Sequence, residues 1–419
     1  MSAAVKSSST GLEHVAAPSS SAPVGAGTPK LPRKLRRMLS LDDFEEAARR
    51  FLPAPIFAYV SGGCETNRSL RANRSAFEGF AWVPRILTDT SARTLATPLL
   101  GRQYAAPFGI APMGISALSA YRGDLVQAEA AAAANVPMIL SGTSLIPMEE
   151  IARANPAAWF QAYVPGEPER ILKLLDRVEQ AGFGTLVVTA DTPVSGNREN
   201  NIRAGFSTPL RPSLRLALDG LTHPGWLCKT ALGTLLLHGM PHFENSQATR
   251  GAPILSASVM RDFGARDHLN WDHFALIRRR WKGRLVVKGI LDARDALQAR
   301  EHGAEGIILS NHGGRQLDGA VSPMQVLPRV VAALGDDYPV MIDSGFRRGN
   351  DVLLALALGA KFVFVGRPFN YAGAVAGQAG VEHAIGILAS EILRNMALIG
   401  VQSPAGVSRE NLFAPPACQ

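Results

Sequence analysis

Three cysteines are all that a chain of 419 residues contains, at positions 64, 228 and 418. They are widely spaced and form no Cys-x-x-Cys pair. That excludes a disulfide-stapled domain and a cysteine-built zinc site, and it fits a reducing compartment. No metal is expected. No run of 18 apolar residues occurs, so no transmembrane helix is expected, and the N-terminus lacks the apolar core of a signal peptide. Charged residues make up only 19% against 47% hydrophobic, a globular rather than a disordered balance. No basic stripe interleaved with aromatics is present in the body, which argues against nucleic-acid binding. The net charge of +8 owes much to Lys30, Arg33, Lys34, Arg36 and Arg37. They close a segment rich in Ala, Ser, Pro and Gly, and residues 1–39 are read as a disordered basic tail. Glu13 counts against taking the tail as a mitochondrial presequence.

What the chain does have is rhythm. Apolar, β-rich runs recur at 108–112, 137–141, 159–164, 185–191, 284–289, 306–311, 339–343 and 362–366. Helix-like segments separate them at 124–134, 147–154, 168–181, 271–281, 292–302, 323–334 and 349–358, and another follows at about 380–399. Non-alternating apolar strands alternating with helices mean a parallel sheet covered by helices. Eight such units predict an α/β fold, a TIM (β/α)8 barrel. A doubly wound open sheet is the alternative, but no Gly-x-Gly-x-x-Gly turn follows the first strand. Ahead of the barrel, LSLDDFEEAARRFLPAPIFAYVSGG predicts a helical extension: one helix capped by Ser40, a proline break, and a second short helix. The barrel domain is placed at 40–400, with a C-terminal tail at 401–419. An insertion of about 207–267 follows strand four and is too long for an ordinary loop. Its apolar pieces LRLALDGL and WLCKTALGTLLLHGM either pack on the body as helices or lie on a membrane surface.

TIM barrels carry their chemistry at the C-terminal ends of the strands. Here those ends read Pro112-Met113-Gly114; Ser141; Gln161 and Tyr163; Thr189 and Asp191, with Arg198 soon after; Lys288; His312 and Arg315; Asp343 to Gly349; Gly366 and Arg367. One polar strand end is usually a helix cap, but eight in one ring are not explained that way. Glycines and arginines after strands seven and eight suit a phosphate. Arg315 offers a forked donor for a carboxylate, and Tyr59 and Tyr163 could add hydroxyls. His312 is the only histidine at a strand end, and histidine is the usual base near neutral pH. Asp191 could orient it. The bland reading of His312, a satisfied buried histidine, loses weight beside Arg315 and the glycines around it.

SNHGGRQLDG, together with ADTPVSGNRENN, VVKGI and IDSGFRRGNDV in the same order, resembles the FMN-dependent α-hydroxy acid oxidases and dehydrogenases from about Phe44 to Gly400. The resemblance implies FMN as cofactor and oxidation of an L-2-hydroxy acid, lactate first, to the 2-oxo acid. It implies His312 as base with Asp191 as partner, Arg315 and Arg198 on the substrate carboxylate, and Tyr59 and Tyr163 over the substrate. The flavin would be held by Pro112, Met113, Gly114, Ser141, Gln161, Thr189, Lys288, Ser310 and Asp343, its phosphate by Gly345, Arg347, Gly366 and Arg367. Lys288 would answer the negative charge of a reduced flavin. A homotetramer is implied as well.

Met113 stands where many members have threonine or valine. Gly114 stands where many oxygen-using members have alanine, which leans toward a dehydrogenase passing electrons to a quinone, cytoplasmic, with peripheral contact on the inner membrane face. The alternative is a soluble 2-hydroxy acid oxidase of the glycolate or lactate oxidase type that releases hydrogen peroxide. A flavin-binding scaffold without turnover is opposed by the intact His312, Arg315, Asp191 and Lys288 set. A nucleotide dehydrogenase would need a cysteine on a barrel loop. Cys64 precedes the barrel, Cys228 lies in the insertion and Cys418 in the tail.

Overall fold

The computed structural model describes residues 31–207, 211, 214–256 and 266–413; residues 1–30 and Cys418 lie outside them. A short antiparallel hairpin, β1 (Thr97–Leu99) and β2 (Arg102–Tyr104), precedes eight parallel strands. These are β3 (Phe108–Ile110), β4 (Ile139–Ser141), β5 (Trp159–Ala162), β6 (Thr185–Thr189), β7 (Arg284–Ile290), β8 (Gly306–Leu309), β9 (Val340–Ile342) and β10 (Phe362–Val365). Their order runs β3-β10-β9-β8-β7-β6-β5-β4. A parallel bridge between Ile110 and Met138 joins the two ends, so the sheet closes into a barrel. All eight expected runs contain a strand, and the fold is the expected TIM barrel.

The strands are buried on both faces, and their pleat separates two cores. Alternate residues, such as Ile307 and Leu309 of β8, face the surrounding helices. The residues between them point inward, where Ile139, Trp159, Val187, Val286, Ile308, Met341, Phe362 and Phe364 form one cluster. Leu99 and Tyr104 of the hairpin complete that cluster and close one end of the barrel.

Helix α1 (Leu41–Phe51) starts at the Ser40 cap, with Asp43 returning a bond to the Ser40 amide at 2.9 Å. It packs on the last long helix, Arg367–Ile399, which is two helices joined at Ala376 and Gly377, where the backbone leaves helical geometry. Its first part, 367–375, lies N-terminal to the expected segment. The tail boundaries shift too. Leu35 is fully buried and Lys34 donates to the Val375 carbonyl at 3.1 Å, so the chain is packed before residue 39. Residues 401–413 lie on the body: Val401 and Val407 are buried, and the Phe413 amide donates to the Ala81 carbonyl at 2.8 Å.

The insertion is helical over Leu214–Thr222 and from Pro224 to His238, with one wider π turn at Leu227–Leu232. Trp226 Nε1 donates to the Leu118 carbonyl at 2.7 Å and Asp219 accepts from the Ala54 amide at 2.6 Å. Several of its described leucines do not turn inward, however. Leu214, Leu218 and Leu221, one face of a helix, and Leu235, Leu236 and Leu237 are exposed. Among the described residues no helix is long and apolar enough to cross a membrane.

Candidate active site

Two residues beyond each inward apolar side chain, the pleat brings another inward side chain at the next level of the barrel. Ile139 is followed by Ser141, Trp159 by Gln161, Val187 by Thr189, Val286 by Lys288, Ile308 by Ser310, Met341 by Asp343 and Phe364 by Gly366. The polar residues read from the sequence therefore form one layer directly above the aromatic and aliphatic plug. Over it opens a cavity of about 1240 Å³. All the expected site residues line it except Ser141, Asp191 and Ser310. Those three stand behind lining residues. Ser141 Oγ bonds Gln161 Oε1 at 3.2 Å, Asp191 bonds His312, and Ser310 Oγ takes the Lys288 ammonium at 2.8 Å.

Lys288 is buried and paired with Asp343 at 3.1 Å. Burial alone would lower its pKa, but Asp343 and then Asp191 outweigh it and the pKa is raised. A fixed positive charge thus sits in the cavity floor. Asp191 reaches its place only because Gly289 follows Lys288. Gly289 has φ +105°, and a Cβ there would stand 2.6 Å from the Asp191 Cβ.

His312 leaves β8 in a left-handed conformation, φ +58°, with Gly313 and Gly314 continuing it. Its Nδ1 lies 3.0 Å from Asp191 Oδ1. A carboxylate only accepts, so Nδ1 carries the proton and Nε2 presents a lone pair. Nε2 faces the Tyr163 hydroxyl at 3.5 Å. Burial lowers the His312 pKa and Asp191 pulls it back up; the balance is a lowered value. Burial also opposes charge on Asp191, but His312 and Lys288 hold its carboxyl below the usual range. The pair can therefore take a proton at neutral pH and stabilise it.

Opposite stand two guanidiniums. Arg315 donates to the Tyr59 and Gly62 carbonyls at 2.6 and 2.8 Å and lies over the Tyr59 ring, 4.9 Å from its centroid. Burial, and then the charge of Arg198, bring its pKa down to about 9, so it stays charged at neutral pH in want of an anion. Arg198 bonds the Arg315 carbonyl at 3.2 Å and Gln316 Oε1 at 3.0 Å. Phe206, from the start of the insertion, packs on Tyr59 at 4.7 Å.

At the far end, Gly345, Arg347, Gly366 and Arg367 come together, and Arg367 also has partners within the protein itself. Its guanidinium donates to the carbonyls of Val60, Gly62 and Gly313 at 2.8, 3.0 and 2.9 Å. It ties helix α2 (Ala54–Ser61) to the His312 loop through Nε and Nη2; Nη1, which makes none of these bonds, and the backbone at the start of the long helix remain for a phosphate. Arg347 is held by Glu45 at 3.0 Å and Asp42 at 3.5 Å, both on α1. Sequence reading gave Ser344 no role of its own and missed Thr143 and Phe206. Thr143 and Ser344 stand one or two places past a strand end and carry only a hydroxyl, a weak signal.

The family model described as FMN-dependent dehydrogenase matches residues 48–414. The chain belongs to that family. It is similar to an L-lactate dehydrogenase of Ectopseudomonas mendocina, 40% identical over 374 residues, 88% of this chain and 97% of the relative. A (S)-mandelate dehydrogenase of Pseudomonas putida is 37% identical over 380 residues, 90% of this chain and 94% of the other. Among solved structures, the monotopic membrane protein (S)-mandelate dehydrogenase superposes with a TM-score of 0.84 at 35% identity, covering 90% of this chain and all of that one. The chain is thus an FMN-dependent oxidoreductase of the 2-hydroxy acid dehydrogenase and oxidase family, with FMN as its cofactor.

The residues present fit that cofactor. Gln161 Nε2 and Thr189 Oγ1 are buried without a hydrogen-bond partner among the described residues, an arrangement a folded protein rarely leaves. Both line the cavity beside Lys288. A polar, flat heterocycle with an anionic tail satisfies the donors, the floor cation and the arginine end together.

Two outcomes are expected. Arg347→Ala should weaken FMN binding about 10- to 100-fold, the loss of one charge-assisted contact of about 1.5–3 kcal/mol; fluorescence titration of the apoprotein reads it, and unchanged affinity removes Arg347 from the phosphate. The acid limb of kcat/KM should lie below the ordinary histidine value of about 6.5, because the buried imidazole resists protonation. Asp191→Asn removes what raises that pKa, so the limb should move further down while the rate falls. A limb that moves up refutes the pairing.

Proposed function

We propose that this enzyme oxidises an L-2-hydroxy acid, lactate first, to the 2-oxo acid, and passes the electrons to a quinone at the cytoplasmic face of a membrane. The observation that carries the reading is His312, held by Asp191 on Nδ1 and turned to the Tyr163 hydroxyl on Nε2, in a cavity that the guanidiniums of Arg315 and Arg198 also line. Arg315 and Arg198 take the substrate carboxylate, a forked match a lysine could not give. Tyr59 and Tyr163 hold the hydroxyl end. His312 Nε2 accepts a proton from the substrate, and Asp191 stabilises the imidazolium that results. Lys288, with its partner Asp343, supplies positive charge at the cavity floor. When bound, FMN supplies the two-electron acceptor.

The names of the relatives, L-lactate dehydrogenase and (S)-mandelate dehydrogenase, support the substrate class. A second reading, a bulkier aromatic 2-hydroxy acid, is favoured by Phe206, Ile202 and Val194 on the cavity wall. Gly114 supports an acceptor other than oxygen by the resemblance to dehydrogenases. A Cβ there would stand 2.3 Å from Thr143 Oγ1 and 3.2 Å from the Tyr59 hydroxyl, so the cleft is shaped to a bare backbone.

The exposed leucines of the insertion support membrane contact. Leu214 is 77% exposed and Leu236 81%. Burying a leucine side chain contributes about 1.5–3 kcal/mol, against about 1 kcal/mol for a cation near an anionic surface. The leucines, not Lys229 or Arg211, would therefore dominate.

Anaerobic mixing with L-lactate should bleach the flavin of the wild type. His312→Gln should keep its flavin and slow the bleaching about 10²–10⁴-fold; bleaching within threefold of wild type would remove His312 as the base. Changing Leu221, Leu236 and Leu237 to Gln should abolish flotation with anionic vesicles and leave turnover with a soluble acceptor intact. Equal flotation of mutant and wild type would sink the membrane reading in favour of a soluble enzyme.

A further inference from the structure

Ser344 follows β9 with φ +78°, a left-handed backbone that disfavours any residue with a Cβ. Its neighbour Gly345, at φ +93°, fills the same kind of position with the residue suited to it. A serine persists at 344 with its hydroxyl fully engaged. Ser344 Oγ donates to Asp343 Oδ1 at 2.8 Å and accepts the Gly313 amide at 3.1 Å. On the other side, Ser310 Oγ accepts the His312 amide at 3.0 Å and the Lys288 ammonium at 2.8 Å. Asp343 Oδ2 lies 3.1 Å from Lys288 Nζ, which closes the circuit. Two serine hydroxyls on neighbouring strand ends thus hold two consecutive amides of the His312 loop. Both hydroxyls lead to Lys288, Ser310 directly and Ser344 through Asp343.

That loop needs holding. His312, Gly313 and Gly314 are all left-handed, at φ +58°, +66° and +73°, and the first carries a side chain. A backbone in sparsely populated conformations stays put only when its surroundings over-determine it. Every group of the circuit is buried or nearly so, and a hydrogen bond there is little screened.

We infer that Ser344 is a positioning residue: with Ser310 it fastens the backbone of His312 and Gly313 to the Lys288–Asp343 pair, so one network sets both the imidazole and the cation in the cavity floor. The inference rests on the reading of His312 as base. Its consequence is coupling. Without the Ser344 hydroxyl, Asp343 loses a donor and neutralises Lys288 more fully, while the loop loses one of its two serine tethers.

The test uses the holoenzyme with Ser344→Ala and Ser344→Gly. Both remove the hydroxyl, and only the glycine relieves the backbone. Both should slow anaerobic flavin reduction by L-lactate about tenfold or more. KM and the dissociation constant for FMN should stay within about twofold. Both should also move the flavin midpoint potential to a more negative value. Thermal stability should diverge, with the glycine variant the more stable. A structural role alone would make the rates follow stability, so a slow alanine variant beside a glycine variant of wild-type rate and potential overturns the inference. Rates and potentials of wild type in both variants overturn it too. Wild-type enzyme that no 2-hydroxy acid reduces would defeat the functional reading instead. The potentials of the two variants then decide the network on their own, a negative shift supporting it and none refuting it.

Discussion

The two-residue repeat of the pleat is the constraint on which the rest of this molecule depends. Inside a closed barrel every second residue points to the axis. An apolar plug is built from one layer of inward residues, Trp159, Val187, Val286, Ile308 and Phe364 among them. The next inward residues have no choice but to stand above it. Gln161, Thr189, Lys288 and Ser310 are therefore placed by the register of strands whose own stability comes from burying their neighbours. A one-residue slip would turn Lys288 outward among the helices and bring Val287 to the axis.

Placing charge on that layer costs desolvation, and the structure meets the cost locally. Lys288 is answered by Asp343, His312 by Asp191. The guanidiniums are treated differently. Arg367 and Arg315 are satisfied by carbonyls at the end of α2 rather than by acids. Among the described residues neither is ion-paired with a carboxylate, and Glu45 acts on Arg367 only from a distance. An uncompensated cation in a closed site selects for anions, which accords with a cofactor phosphate at one end and a substrate carboxylate at the other.

Much of this was legible in the sequence, and the pleat explains why. An apolar run that stops on a polar residue marks both the strand and the level where the site lies, so the strand ends already named the polar layer that floors the cavity. What escaped depended on conformation instead of residue type. In the sequence Arg367 carries a phosphate role and nothing more. Only the fold shows three carbonyls within its reach. Ser344 is an ordinary serine until its positive φ and its two hydrogen bonds are known. Residues 401–413 look like a tail because their composition is mixed; Val401 and Val407 find a groove on the body that no local pattern announces. The insertion left two alternatives open. Several of its described leucines face outward while Trp226 and Asp219 hold it down, and that division follows from tertiary contacts alone.

The most direct test of this account is a crystal structure of the FMN-saturated enzyme with a 2-oxo acid bound. Gln161 Nε2 and Thr189 Oγ1 should each hydrogen-bond the flavin, with Lys288 beneath the same ring, and Arg315 and Arg198 should hold the carboxylate with His312 Nε2 turned to the reacting carbon. A flavin seated away from that layer, with Gln161 and Thr189 still unpartnered, would contradict it.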